Sequence, residues 1–159
     1  MFDTVMGLPV HILVVHAVVV LVPLAALGVA ALAVVPRWRL TYGPLVLAVT
    51  TAGLVMVPVA TSSGERLRDR INAGGVVKDQ IADHVMWANR VLWPTVALWV
   101  LAVAMVLLAR RRRTGRVVTL VAALAIVAAV ASAGTVTLAG HLGSKSVWSC
   151  TIGTDACSG

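Results

Sequence analysis

Charged residues are scarce in this chain of 159 residues: they make up 12% of it, and 60% of it is hydrophobic. Soluble domains carry roughly 25% charged residues, so this composition excludes an ordinary soluble globular domain. Long apolar runs with few charges are typical of membrane-spanning segments. The apolar runs hold no acidic residue, which argues against a transporter coupled to protons or cations.

Familiar catalytic motifs are missing as well. The sequence has no Walker, Rossmann, G-x-S-x-G or zincin motif, and no CxxCH for covalent haem attachment. This favours an electron carrier or an accessory protein over an enzyme. Cysteine is limited to Cys150 and Cys157. Their spacing favours a structural disulfide outside the cytoplasm, with metal or haem binding by the pair, or free thiols, as alternatives.

Four apolar runs predict four transmembrane helices, at about residues 8–35, 40–60, 86–109 and 117–140. A helix needs roughly 20 residues to cross about 30 Å of hydrocarbon. The runs lack the strict alternation of barrel strands, so helices are expected. Residues 1–159 are therefore predicted to form one all-α domain, an antiparallel four-helix bundle in the membrane. The outer loop (61–85) is interpreted as a lid or a plain solvated loop, and an outer tail covers 141–159.

The net charge of +7 is distributed unevenly. The first and third loops carry seven arginines and no acid: Arg37, Arg39, Arg110, Arg111, Arg112, Arg113 and Arg116. The rest of the chain balances six basic residues against six acidic ones. By the positive-inside rule, the arginine loops are cytoplasmic and both termini lie outside. Basic loops of this kind indicate membrane lipid, and not nucleic acid, as the partner of the positive charge.

Four histidines are predicted to collect on the outer side of the membrane. His11 and His16 lie near the start of the first helix, His84 lies at the start of the third, and His141 lies at the end of the fourth. An ionisable side chain in a membrane segment is costly, so each one is a hypothesis of a functional site.

The spacing of these histidines suggests how they bind a ligand. His11 and His16 are about 140° apart around a helix, so only one can face the bundle interior squarely. A histidine from a facing helix would complete the axial pair of a haem b. The first choice is His16 with His84, with His141 and His11 as alternates and Asp83 as a second-shell acceptor. A copper or zinc site without haem, or hydrogen bonds between helices, are the alternatives.

Several stretches resemble a bacterial family of small membrane proteins catalogued as a domain of unknown function, DUF2231. They are LPVHILVVHAVVVLVPL, VATSSGERLRDR, DHVMWANRVLWP and GHLGSKSVW. The resemblance covers nearly the whole chain, and the composition is similar to the actinobacterial branch. It implies a four-helix bundle in the bacterial inner membrane, histidines at these four positions, and a haem-binding or redox role. The two-cysteine tail departs from the family pattern.

The expected function is electron transfer or cofactor handling beside a respiratory partner, with haem b near the outer leaflet. The cytoplasmic half offers no histidine, so a single haem could not carry electrons across the bilayer alone. A membrane-protein partner or a homo-oligomer is therefore expected. The alternatives are a non-catalytic accessory or assembly subunit and a haem-free copper- or zinc-binding protein.

Overall fold

The computed structural model is a bundle of long helices. It describes residues 4–5, 8–73 and 80–148. The helices are α1 (Val10–Val34), α2 (Trp38–Thr41), α3 (Gly43–Ala73), α4 (Gln80–Arg90), α5 (Leu92–Arg110) and α6 (Arg116–Trp148). Before α1, strands β1 (Thr4–Val5) and β2 (Leu8–Pro9) pair antiparallel.

Four helical segments are long and apolar enough to cross a membrane: Val10–Val34, Gly43–Asp69, Ile81–Arg110 and Arg116–Lys145. The prediction of an all-α chain with four spans is thus confirmed. The third span joins α4 and α5, which meet at a bend at Val91. Pro94 follows three residues later and has no N–H to donate to the carbonyl of Arg90, so the helix is weakened at this point.

The helix bounds differ from the predicted ones on the side of the histidines. The second helix runs to Ala73 and not to about 60, and the third span begins near Ile81 and not near 86. Polar residues after the membrane segment do not end α3. The hydroxyls of Thr61 and Ser62 donate to the carbonyls of Val57 and Pro58, within the helix.

The four long segments form a ring. Helix α1 packs against α3 and α6, and α5 packs against the same two helices from the opposite side. Helices α1 and α5 therefore lie on one diagonal. The core is built of small and branched apolar residues, among them Val22, Val29 and Leu98. Leu27 and Val130 are exposed on the outside, as expected for helices that face lipid.

The bundle has two chemically different ends. The arginine end comprises residues 35–42 and 110–116, and the histidine end comprises residues 10–16, 60–64, 80–84 and 139–145. At the arginine end, Arg39 is only 5% exposed. Its Nε donates to the carbonyl of Leu32 (2.8 Å) and its Nη2 to that of Ala33 (3.0 Å). It thus caps the C-terminus of α1, where a positive charge is favoured.

Candidate functional site

His11 lies in the first turn of α1 and is bound by α3. Its Nδ1 is 3.0 Å from the carbonyl oxygen of Ala60 and 3.2 Å from Oγ of Ser63. The ring lies against Gly64, where an added Cβ would be 2.8 Å from Cε1 and 3.1 Å from Nδ1. The α3 backbone thus provides both the acceptor and the space for this imidazole.

His84 lies in α4 and is bound by α6 in the same manner. Its Nδ1 is 2.8 Å from the carbonyl oxygen of Ala139. An added Cβ at Gly143 would lie 3.0 Å from both Cε1 and Nδ1 of the ring. In both cases the acceptor carbonyl belongs to the residue four positions before the glycine.

The hydrogen bonds determine the tautomer of both rings. A carbonyl oxygen only accepts, so Nδ1 carries the proton and Nε2 of the neutral ring carries the free lone pair. Hydrogen bonds between described residues use Nδ1 and not Nε2 of His11 and His84. The two rings are also close enough to interact electrostatically. An Nδ1–H bonded to a backbone carbonyl is the usual setting of a histidine that binds a metal through Nε2.

An apolar cluster packs close to the site. Ala139 belongs to it together with valines from all four spans: Val18, Val22, Val57, Val91 and Val136. Trp87, one turn after His84, is partly buried against the same cluster. The guanidinium of Arg90 is 5.0 Å from the centre of the Trp87 ring. The two imidazoles are therefore bordered by a low-dielectric interior, in which a charge or a dipole acts strongly.

His16 and His141 are not brought to this pair. Both side chains are exposed, and Nδ1 of His16 donates to the carbonyl of Ile12 on its own helix, at 2.6 Å. The angle of about 140° between His11 and His16 predicted that only one of them faces the interior squarely, and His11 is the one bonded to the facing helix α3. His11 interacts electrostatically with His84, whereas the first choice from the sequence was His16 with His84. Ligation by any of the four histidines stays a prediction.

The other predicted site residues lie apart from the pair. The Asp83 side chain is exposed, and Nδ1 of His84 is bonded to Ala139 instead. Cys150 and Cys157 lie outside the described residues, so the disulfide stays a prediction. Among residues 10–69 and 81–145, no three His, Cys, Asp or Glu side chains come together as they would around a metal ion.

Sequence reasoning missed the residues that support the rings. Gly64 was placed in the outer loop (61–85) and Gly143 in the outer tail (141–159). A signal was present: the segments ATSSG (60–64) and AGHLG (139–143) share an A-x-x-x-G pattern, and each follows a membrane span. A pattern this short predicts a histidine-binding position only when a histidine on the facing helix is known to lie beside it.

The profile of a family described as "Predicted membrane protein (DUF2231)" matches residues 7–156. This chain belongs to the DUF2231 family. The match covers all four spans, His11 and His84, and Gly64 and Gly143. No curated protein and no solved structure matches this DUF2231 protein.

Proposed function

We propose that this DUF2231 protein holds a haem b, or a metal in another form, between His11 and His84, for electron transfer or cofactor handling beside a respiratory partner. The observation that carries the proposal is that the two imidazole rings share one hydrogen-bonding arrangement. They are neighbours from diagonal spans, and each has Nδ1 bonded to a backbone carbonyl. Two imidazoles with free Nε2 lone pairs are the donor set of a bis-histidine haem.

Haem fits the donor set better than a bare ion does. Zinc is usually held by four ligands, and catalytic zinc by three protein ligands and a water. Haem iron would need only two protein ligands, and His11 and His84 would supply them. A copper or zinc ion between the same two rings would need additional ligands from water or from another chain, and it remains the alternative cofactor.

The location of the site suggests a partner. By the positive-inside rule the arginine end faces the cytoplasm, so the histidine end faces outward in a bacterial inner membrane. The arginine end lies about one membrane thickness away and carries no histidine. A single redox centre at the outer end exchanges electrons on that side only. Transfer across the bilayer therefore requires a second membrane protein or another copy of this chain.

A different observation favours an accessory or assembly subunit. Both histidines already form hydrogen bonds between helices, from α1 to α3 and from α4 to α6. Such bonds contribute about 0.6 kcal/mol on average to the stability of membrane bundles. In this second candidate function the histidines hold the bundle together, and the exposed faces pack against a larger complex.

The test is a reduced-minus-oxidised visible spectrum of the protein purified from cells supplied with haem. We expect Soret and α bands that disappear in His11→Ala and in His84→Ala. His16→Ala and His141→Ala are matched controls, because they remove the two exposed histidines, which lie in α1 and α6. They should retain the bands.

Other results would contradict the ligand pair or favour the haem-free metal site or the accessory function. Bands that persist in His11→Ala, or that disappear only in His16→Ala, would contradict the proposed ligand pair. A flat spectrum with stoichiometric copper or zinc in elemental analysis indicates the haem-free metal site. A flat spectrum without metal, at full yield of folded protein, supports the accessory function.

A further inference from the structure

The two halves of the chain repeat one pattern of buried positions. Seven residues of α1 are buried, and six of them have a buried counterpart 73 positions later, in α5 or at the bend before it. The pairs are Val18 and Val91, Val22 and Thr95, Ala25 and Leu98, Val29 and Ala102, Leu32 and Met105, and Ala33 and Val106. The residue identities mostly differ, so the repeat is much clearer in burial than in sequence.

Helices α3 and α6 repeat in the same way, with an offset of 79 positions. The buried residues Thr50, Gly53 and Val57 correspond to the buried residues Ala129, Ser132 and Val136. From residue 51 to residue 66, the exposure of each residue matches that of its counterpart at 130–145, except that Ala139 is more buried than Ala60.

The packing of the helices has the same symmetry. Helices α1 and α3 form one hairpin, and α4–α5 with α6 form the other. Each first helix also packs against the second helix of the other hairpin. In both hairpins the first helix runs from the histidine end to the arginine end, and the second helix runs back. A pseudo-two-fold axis along the bundle therefore relates the hairpins, as in parallel internal repeats of membrane proteins.

The histidine site follows both offsets. His84 lies 73 positions after His11, and Ala139 and Gly143 lie 79 positions after Ala60 and Gly64. Each half thus contributes one imidazole, one carbonyl acceptor and one glycine in equivalent places. The other two histidines do not follow the repeat, because their counterparts are Asn89 for His16 and Ser62 for His141.

We propose that Gly64 and Gly143 are paired positioning residues, which hold the two imidazoles so that both Nε2 atoms address one metal centre on the pseudo-two-fold axis. This inference rests on the proposed function and specifies its site. The ligand class is a metal centre that would take one imidazole nitrogen from each repeat. The glycines act through the histidines and do not touch the metal.

The physical reason is the space beside each ring. A Cβ at residue 64 would come within 2.8 Å of Cε1 of His11, closer than real Cβ atoms approach. The same ring is held by a 3.0 Å hydrogen bond to Ala60, one turn earlier on the same helix. Any side chain at residue 64 must therefore move the ring and stretch that bond. At residue 143 the crowding is milder: a Cβ would lie 3.0 Å from Cε1 and Nδ1 of His84, so that ring, bonded to Ala139, must give by a few tenths of an ångström.

The first experiment needs no cofactor. The full chain is labelled with ¹⁵N-histidine in nanodiscs at about pH 8, where an ordinary imidazole with a pKa near 6.5 is neutral. We expect protonated Nδ1 and unprotonated Nε2 signals for His11 and His84, assigned through their alanine variants. Gly64→Ala should change the signals of His11, and Gly143→Ala those of His84. Unchanged histidine signals in both glycine variants would overturn the proposal.

Two other glycines provide matched controls. Gly43→Ala introduces a comparable crowding at the arginine end, 2.7 Å from Cγ2 of Val106, and Gly134→Ala meets nothing within 4 Å. Neither should change the histidine signals. A double variant checks for general misfolding: the thermal stability lost in Gly64→Ala should return in Gly64→Ala with His11→Ala, because the clashing ring is gone. An equal loss with and without His11 would contradict the contact.

The second experiment is a titration of the apoprotein with haemin. Loss of the outer-shell partners of a metal-binding histidine typically weakens affinity about 10- to 100-fold. We expect this weakening in Gly64→Ala and in Gly143→Ala, and not in Gly43→Ala or Gly134→Ala. If haemin binds Gly64→Ala and Gly143→Ala as tightly as the wild type, the positioning role is overturned while the proposed function stands. If haemin binds neither the wild type nor any variant, while the histidine signals shift as expected, haem is refuted and the positioning role stands.

Discussion

At the scale of single residues, Arg39 shows how one side chain can serve two purposes. The positive-inside rule treats it as a topological charge only, but its guanidinium is buried and bonded to two carbonyls at the end of α1. Burial lowers the pKa of Arg39. Guanidinium pKa values are so high, however, that the group stays charged in the folded protein.

Replacing Arg39 should therefore cost stability. Arg39→Met leaves the carbonyls of Leu32 and Ala33 without this donor, and a buried polar group that loses its partner costs about 1–3 kcal/mol. We expect a clearly lower midpoint of thermal unfolding in detergent. Arg37→Met is the matched control, since it removes the same charge from an exposed side chain of the same loop. Equal midpoints for the two variants would refute the cap.

The histidines show where residue-scale prediction fails. The sequence predicted that the histidines gather at one end, and the structure brings His11 and His84 together there. The sequence could not predict that His11, rather than His16, is bonded to α3 and interacts with His84. In a soluble helix the polar residues mark the outward face, and the apolar face is then the inward one. In α1 apolar residues occur on all sides, because the lipid is as apolar as the core, so the sequence does not show which side faces inward.

At the scale of helices, four apolar runs were enough to predict four spans, because backbone polar groups in lipid must be satisfied within the helix. The helix ends at the histidine side were not predictable in this way. Beyond the hydrocarbon a helix ends only where its own hydrogen bonds fail, and in α3 the hydroxyls of residues 61–63 bond to carbonyls of the same helix and do not interrupt it. Hydropathy therefore gave the spans and missed the length of α3.

Within the described part of the chain, a side-chain hydrogen bond joins the two hairpins. Nε1 of Trp99 in α5 donates to Oγ1 of Thr51 in α3, at 2.9 Å. Bonds of this kind contribute about 0.6 kcal/mol on average, and up to about 1.7 kcal/mol. A double-mutant cycle of Trp99→Phe and Thr51→Val, followed by unfolding in detergent, should give a coupling energy in this range. Trp93→Phe, at an exposed tryptophan of the same helix, should show no coupling with Thr51→Val.

At the scale of the whole molecule, the charge distribution and the repeat have a common consequence. Each hairpin starts at the histidine end, turns at an arginine-bearing loop and returns, so the two loops carry their charge on the same side. The two hairpins then favour the same orientation in the membrane. Because the turns of both repeats carry arginine, the positive-inside rule predicts that both turns are cytoplasmic and that the histidine end is outside.

Cysteine labelling tests this orientation. In a chain with Cys150→Ser and Cys157→Ser, Ser144→Cys places one thiol at the histidine end, and Thr114→Cys places one at the arginine end. Both positions are exposed. A membrane-impermeant maleimide should label the first variant in intact cells and the second only after the inner membrane is permeabilised. The reverse pattern would put the imidazole pair in the cytoplasm and remove the case for an outer redox partner. Labelling of both thiols in intact cells would mean mixed orientation, with the arginine loops too weak to select one.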